Sequence, residues 1–413
     1  MLLSRIRTFK NLTTTLKPLQ NNRYYKFSNA EASKDAKFDR NAHFEDPVNE
    51  WVNPSKRWLI GGWLLLCAGG VYFMVLLGGY TRLTHSGLSM TKWKPIEYVY
   101  PRNQADWEKE FDYYKQFPEY QHSPIDLEKF KKIFIVEYLH RVSGSTLGAL
   151  YVLPLAAFTA MKWVKPQYAK RLGAIGGLGL LQGLIGWWMV KSGLDRPKPE
   201  YQQKPRVSTY RLTVHLSMAL SLYSLLIWNA ATLFRKPQHL SITPENYKTH
   251  LKFRGLGIGL IHLVAINLLT GAAMAGIDAG KVFNTWPTMN GQIVPANLFK
   301  ASPFYKNFFE NVVMVQFNHR NAAYLTYAFG SYITYLAYKS NLPKQARYIC
   351  YALYGVLNYQ LLTGIVALLN QVQVHSGSIH QFNALNVLTA SLLLCHSVRK
   401  PSVPYRNYIK QFV

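Results

Sequence analysis

Residues 137–144 read EYLHRVSG and residues 316–323 read QFNHRNAA. Each copy places a His-Arg pair near the start of a long apolar run, where a lipid-facing helix tolerates neither residue. Working outward, eight apolar runs are long enough to cross the ~30 Å hydrocarbon layer: 58–80, 132–160, 171–190, 209–233, 255–276, 311–337, 345–369 and 378–398. The mean hydropathy of −0.06 conceals them, because polar ends and loops dilute the runs. The chain therefore reads as an all-α polytopic membrane protein with eight transmembrane helices. Its 14% aromatic content suits interfacial belts.

The two quoted stretches are one pair in a longer register. LQGLIG (181–186) and YQLLTG (359–364) share Gln-x-x-x-Gly, at Gln182/Gly186 and Gln360/Gly364. His140 precedes Gln182 by 42 positions, and His319 precedes Gln360 by 41. His215 in TVHLSMAL and His380 in SIHQFNAL then open the following runs. MTKWKP (90–95) matches FNTWPT (283–288) loosely, and the main difference is the longer third loop KSGLDRPKPEYQQKPR in the first half. Four spans followed by four spans keep the same orientation. The expectation is two parallel four-helix bundles, not the inverted repeat of a transporter. Glycines in the third span (Gly173, Gly177, Gly179, Gly183) allow close helix contact.

The net charge of +27 would suggest nucleic acid in a soluble chain. Here the cations sit in the loops after the second, fourth and sixth spans and in the tail, with Glu245 the lone acid among them. The positive-inside rule places both termini in the cytoplasm or the mitochondrial matrix, so no nucleic acid is implied. Residues 1–30 carry six basic residues and no acid, the composition of a mitochondrial transit peptide. The expected organisation is a transit peptide at 1–30, a polar matrix segment at 31–56 and an N-terminal bundle at 57–235. A matrix linker at 236–253, a C-terminal bundle at 254–400 and a matrix tail at 401–413 follow. Cys67, Cys350 and Cys395 are isolated, which excludes a CxxC metal site or a disulfide framework.

His140, His215, His319 and His380 each stand near the start of an even-numbered span, and even spans all enter from one side. Two histidines at one depth on different helices of a bundle form the geometry of axial ligation to a heme iron. Glu137 lies one turn before His140 on the same helical face, and Gln316 takes that place before His319. A Gln keeps the shape and the hydrogen bonding but moves no proton. The first half therefore reads as the seat of proton-coupled chemistry and the second as a cofactor holder. Against this stands an ion pair of Glu137 with Arg141 or Arg82. Arg141 and Arg320 are open to two readings, charge balance of heme propionates or snorkelling to the interface. His43, His122, His239 and His250 read as solvated, and His85, His262, His375 and His396 lack a counterpart in the other half.

The ordered blocks LGGYTRLTHSGLSMTKWKP (77–95), WEKEFDYYKQFPEY (107–120), EYLHR (137–141), GWWMVKSGL (186–194), STYRLTVHL (208–216), AGIDAGKVFNTWPTM (275–289), ENVVMVQFNHRNAAY (310–324) and HQFNAL (380–385) resemble the heme A synthase family of mitochondria and alphaproteobacteria. The resemblance covers nearly everything after about residue 50. It implies an enzyme that oxidises a ring methyl of heme O to the formyl group of heme A in the mitochondrial inner membrane, for cytochrome c oxidase assembly. It implies a heme B cofactor between His319 and His380, substrate heme near His140 and His215, and a catalytic Glu137. A heme O synthase upstream and a ferredoxin-type electron donor are the implied partners, and a homo-oligomer stays open. Two features depart from the family: the polar QVQVHSGSIHQ before the last histidine, and the absence of the cysteine pair of some bacterial members. The rival readings are a membrane diheme b-type electron-transfer cytochrome and a heme carrier.

Overall fold

The computed structural model describes residues 38–39, 46–92, 100–195, 205–235 and 241–413. The expected transit peptide lies outside them, as do His43 and His239. The helices in chain order are α1 (Arg57–Leu83), α2 (Gln104–Tyr114), α3 (Pro118–His122), α4 (Leu127–Ala160), α5 (Pro166–Leu194) and α6 (Thr209–Phe234), then α7 (Pro244–Gly276), α8 (Val312–Lys339), α9 (Lys344–Leu369), α10 (Val374–Ser397) and α11 (Val403–Ile409). Among the described residues there is no strand, only the isolated bridges Val52–Val164 and Met289–Gln292.

Eight of these helices are long, and six are also apolar enough to span a membrane: α1, α4, α5, α6, α7 and α9. The two that fall short, α8 and α10, are long enough. The shorter has 24 residues, about 36 Å at a rise of about 1.5 Å each. They lose apolarity to the residues they carry: Gln316, Asn318, His319, Arg320 and Asn321 on α8, and His375, His380, Gln381, Asn383 and Asn386 on α10. Several helices start well before their apolar runs, at Leu127, Pro166 and Pro244. Polar first turns remain helical where a cap holds them. Asp126 accepts from Lys129 N at 2.7 Å to start α4, and a Thr243–Asn246 capping box starts α7.

Helices α1, α4, α5 and α6 pack in a ring, α1 on α4 and α6, and α5 on α4 and α6. The second ring repeats this with α7, α8, α9 and α10. The rings meet along α1, α6, α7 and α10, so α4 and α5 face outward: only 6% of the apolar stretch of each is buried, against 56% for α6. One apolar core runs through both rings. Polar ties cross it, with Tyr72 Oη donating to Phe382 O (2.9 Å) and Gln381 Nε2 to Val75 O (2.8 Å). At the end remote from the quoted histidines, Arg235 donates to His396 O at 2.6 Å and Arg57 to Arg235 O at 2.7 Å.

Two expectations are corrected here. His250 is not solvated: it is buried in α7 and its Nε2 meets Arg399 O at 2.9 Å. Residues 401–413 are not a plain tail, because α11 buries Tyr405 and Ile409 against Ile242 and Tyr247. His375 stands in the first turn of α10 and is exposed. Outside the ring, α2 and the first turns of α4 make their own aromatic cluster of Trp107, Phe111, Tyr114, Phe130 and Phe134.

Candidate functional site

Each of the four histidines lies against a glycine of a neighbouring helix. A Cβ on Gly78 of α1 would sit 3.1 Å from His140 Cε1, and one on Gly271 of α7 would sit 3.1 Å from His319 Cε1. The matching figures are 2.9 Å for Gly186 of α5 on His215 and 2.9 Å for Gly364 of α9 on His380. Any side chain at these glycines would push the ring. All four lie toward the C-terminal ends of the odd-numbered long helices, so the rings gather at one end of the molecule. The repeated Gln-x-x-x-Gly motif supplies Gly186 and Gly364, but Gly78 and Gly271 carry no spacing signal of their own.

In the second ring, His319 and His380 face each other with ring centroids 6.4 Å apart and planes at 89°. A metal–imidazole bond of about 2.0 Å on each side, with about 1.1 Å from nitrogen to ring centre, would separate two axial rings by about 6.2 Å. The spacing fits a single iron between them. Thr270 Oγ lies 3.0 Å from His319 Nδ1, and Gln360 Nε2 lies 3.2 Å from His380 Nδ1. Asn383 Nδ2 in turn donates to Gln360 Oε1 at 3.1 Å. In the first ring, Gln182 Nε2 meets His215 Nδ1 at 3.2 Å. His140 Nδ1 is buried with no hydrogen-bond partner among the described residues. Histidine pairs held against glycines, with His140 Nδ1 left without a partner among the described residues, suit a flat iron macrocycle. A cluster of three or more His, Cys, Asp or Glu that could hold a bare metal is absent among the described residues.

Glu137 is 3% exposed and fully engaged. It accepts from Ser89 Oγ (2.7 Å), Met90 N (2.8 Å) and Arg141 Nη2 (2.5 Å). Of the two ion-pair partners considered above, Arg141 is therefore the one used. Arg82 goes elsewhere, to Gly276 O at 3.2 Å and Asp278 at 3.3 Å. Gln316 occupies the matching place with its hydrogen bonds reversed. Its Nε2 donates to Ala279 O (3.1 Å) and Val282 O (2.5 Å), while its Oε1 accepts from Arg320 (3.3 Å). The arginines hold the same loops: Arg141 donates to Met90 O (2.7 Å) and Arg320 to Phe283 O (2.7 Å). Both arginines thus clamp the outer loop that follows the first helix of their own ring, a use neither earlier reading named.

A cavity of about 210 Å³ opens beside the first ring, lined by Met90, Thr91, Arg141, Trp187, Val190, Lys191 and Leu194. At the outer seam between the rings, Asp278 pairs with Arg82 (3.3 Å) and Lys281 (3.4 Å). Burial opposes its charge, but the cations Arg82, Lys281 and His85 outweigh burial and hold its carboxyl below the ordinary carboxylate value.

The profile of a family described as COX15-CtaA, cytochrome oxidase assembly protein, matches residues 61–392. Heme A synthase COX15 of Saccharomyces cerevisiae is 37% identical over 389 residues, covering 88% of this chain and 80% of that protein. Heme A synthase COX15 of Homo sapiens is 39% identical, with 83% of each chain covered. Heme A synthase of Nitrosomonas eutropha is 37% identical over 81% of this chain and 92% of its own. With a profile match across most of its length and relatives aligned over four fifths or more of it, the chain belongs to the COX15-CtaA family of cytochrome oxidase assembly proteins.

Proposed function

We propose that this protein is a heme A synthase of the mitochondrial inner membrane, with eight spans and both termini in the matrix. Its substrate is heme O, and it oxidises one ring methyl to a formyl group. The observation that carries the reading is the duplicated histidine pair with Glu137 in one copy and Gln316 in the other, in a chain aligned with named heme A synthases. Arg57, Arg235 and Arg399 gather at the end away from the histidines, which supports the matrix assignment of that end.

His140 and His215 bind and orient the substrate heme. His319 and His380 hold heme B, which when bound supplies one-electron relay chemistry. In each of two rounds a methyl C–H bond is replaced by C–OH. One O2, two electrons and two protons are consumed, and one water is released. The resulting geminal diol loses a further water to leave the aldehyde. The electrons come from an external donor of the ferredoxin type. Glu137 is the proton-handling group, linked to the Ser89 hydroxyl, and Arg141 keeps its carboxylate placed one turn from His140.

The test is purification of the full chain in detergent, followed by chromatographic and mass-spectrometric identification of the extracted hemes. Heme B together with heme O, a hydroxylated intermediate or heme A supports the synthase. Heme B alone, unchanged after addition of heme O, reductant and oxygen, overturns it in favour of an electron-transfer cytochrome. Heme O bound but never oxidised under those conditions would indicate a carrier.

A further inference from the structure

The supports behind the two histidine pairs differ in chemical kind. In the second ring the residue before the cradle glycine Gly271 is Thr270, and its hydroxyl does two things. It donates to Asn267 O at 2.9 Å, which commits its proton, and its oxygen lies 3.0 Å from His319 Nδ1. With the hydroxyl proton spent, Nδ1 must be the donor in that contact, and the Nε2 lone pair is left for the gap shared with His380. The residue before the matching glycine Gly78 is Leu77, which has no polar group. His140 Nδ1 accordingly has no partner among the described residues. The same substitution recurs on the other helix pair. Thr363, before Gly364, is 3.4 Å from His380 Nδ1, while Ile185 precedes Gly186. Asn383, three residues after His380, supports Gln360. Met218 stands three residues after His215, and Gln182 Oε1 is buried without a partner among the described residues.

We infer that Thr270 is the positioning residue that makes His319 a permanent iron ligand, and that Leu77 in the equivalent place leaves His140 an exchangeable one. A hydrogen bond from Nδ1 to an acceptor fixes the tautomer and ring orientation and raises the basicity of the other nitrogen. His319, in the half that keeps its heme, has this support, and His140, in the half that takes heme in and lets it go, lacks it, while His215 and His380 each meet a glutamine amide alike. The inference rests on the functional reading above and adds the residues that separate cofactor from substrate.

The experiment follows transfer of each heme from the purified full chain to excess apomyoglobin, with heme B and heme O separated by chromatography in the acceptor. Thr270→Val is expected to speed loss of heme B about tenfold or more, leaving heme O transfer unchanged. Thr270→Ser restores the hydroxyl and should return heme B retention to the wild-type rate. Leu77→Thr should slow heme O transfer. Unchanged heme B transfer from folded, monodisperse Thr270→Val overturns the inference. Should that variant fail to fold, unchanged heme O transfer from Leu77→Thr overturns it instead. Wild-type protein without heme B, or heme B fully retained by His319→Ala, sinks the functional reading itself, which the Thr270 and Leu77 comparisons cannot do.

Discussion

The residue one turn before the first histidine of each ring is buried in both copies, yet its hydrogen bonds run in opposite directions. Glu137 receives a backbone N–H and a hydroxyl from the loop at 89–90, whereas Gln316 gives its amide protons to the carbonyls of Ala279 and Val282. The clamp on the outer loop is thus common to both rings, and only the polarity differs. A carboxylate suits a loop that offers donors, and an amide suits one that offers acceptors. The clamp alone accounts for a polar residue at this position; a proton-handling role for Glu137 concerns the first ring only. A further contrast lies in the second layer, where Thr270 backs His319 and His140 Nδ1 has no partner among the described residues.

The most severe way to break the comparison is to remove a ligand. His319→Ala or His380→Ala should abolish heme B retention while heme O binding in the other ring persists, measured by heme extraction. Next comes Glu137→Gln, which should bind both hemes but lower heme A yield by about 100-fold or more. Wild-type yield would leave Glu137 a loop clamp and nothing else. In the reverse swap, Gln316→Glu sets a carboxylate against two carbonyls at 3.1 and 2.5 Å. It should cost about 2–3 kcal/mol of stability, read from denaturation in detergent. Gly364→Ala and Gly271→Ala sharpen the cradle argument. The Cβ would lie 2.9 and 3.1 Å from a ring carbon, so the 364 variant should lose more heme B affinity than the 271 variant, each by roughly tenfold, within the range seen when a ligand's support is disturbed.

The smallest effect concerns the seam. The Asp278 carboxyl titrates below its ordinary value in the folded protein. Its stabilising contribution is therefore complete above the unfolded carboxylate pKa and is lost as pH falls through the depressed folded value. Melting temperature should drop in that acid window more for the wild type than for Asp278→Asn. Equal drops would show that Arg82 and Lys281 gain nothing from this carboxylate.

Much of this architecture is legible in the chain. The apolar runs, the eight-element repeat and the four paired histidines are regularities of spacing, and spacing survives in a linear string. The apolar measure fails only at α8 and α10, because the polar residues clustered around His319 and His380 lower their hydropathy. The histidine environments were less accessible. His250 reads as a loop residue because Lys248 and Lys252 surround it, yet one face of α7 carries it into the interior. Arg141 and Arg320 read as charges seeking a partner outside the protein, when each also donates to loop carbonyls, with Arg320 Nε left buried and without a partner among the described residues.

The sequence by itself determined the fold class, the duplication, the four histidines and the Glu137/Gln316 difference, since each depends on residue type and separation along one chain. Tertiary structure alone decided which glycine receives each ring, and that Thr270 backs His319 while His140 Nδ1 has no hydrogen-bond partner among the described residues. These are contacts between different helices, set by how the helices rotate against one another, and helix rotation is fixed by packing rather than by any interval in the string.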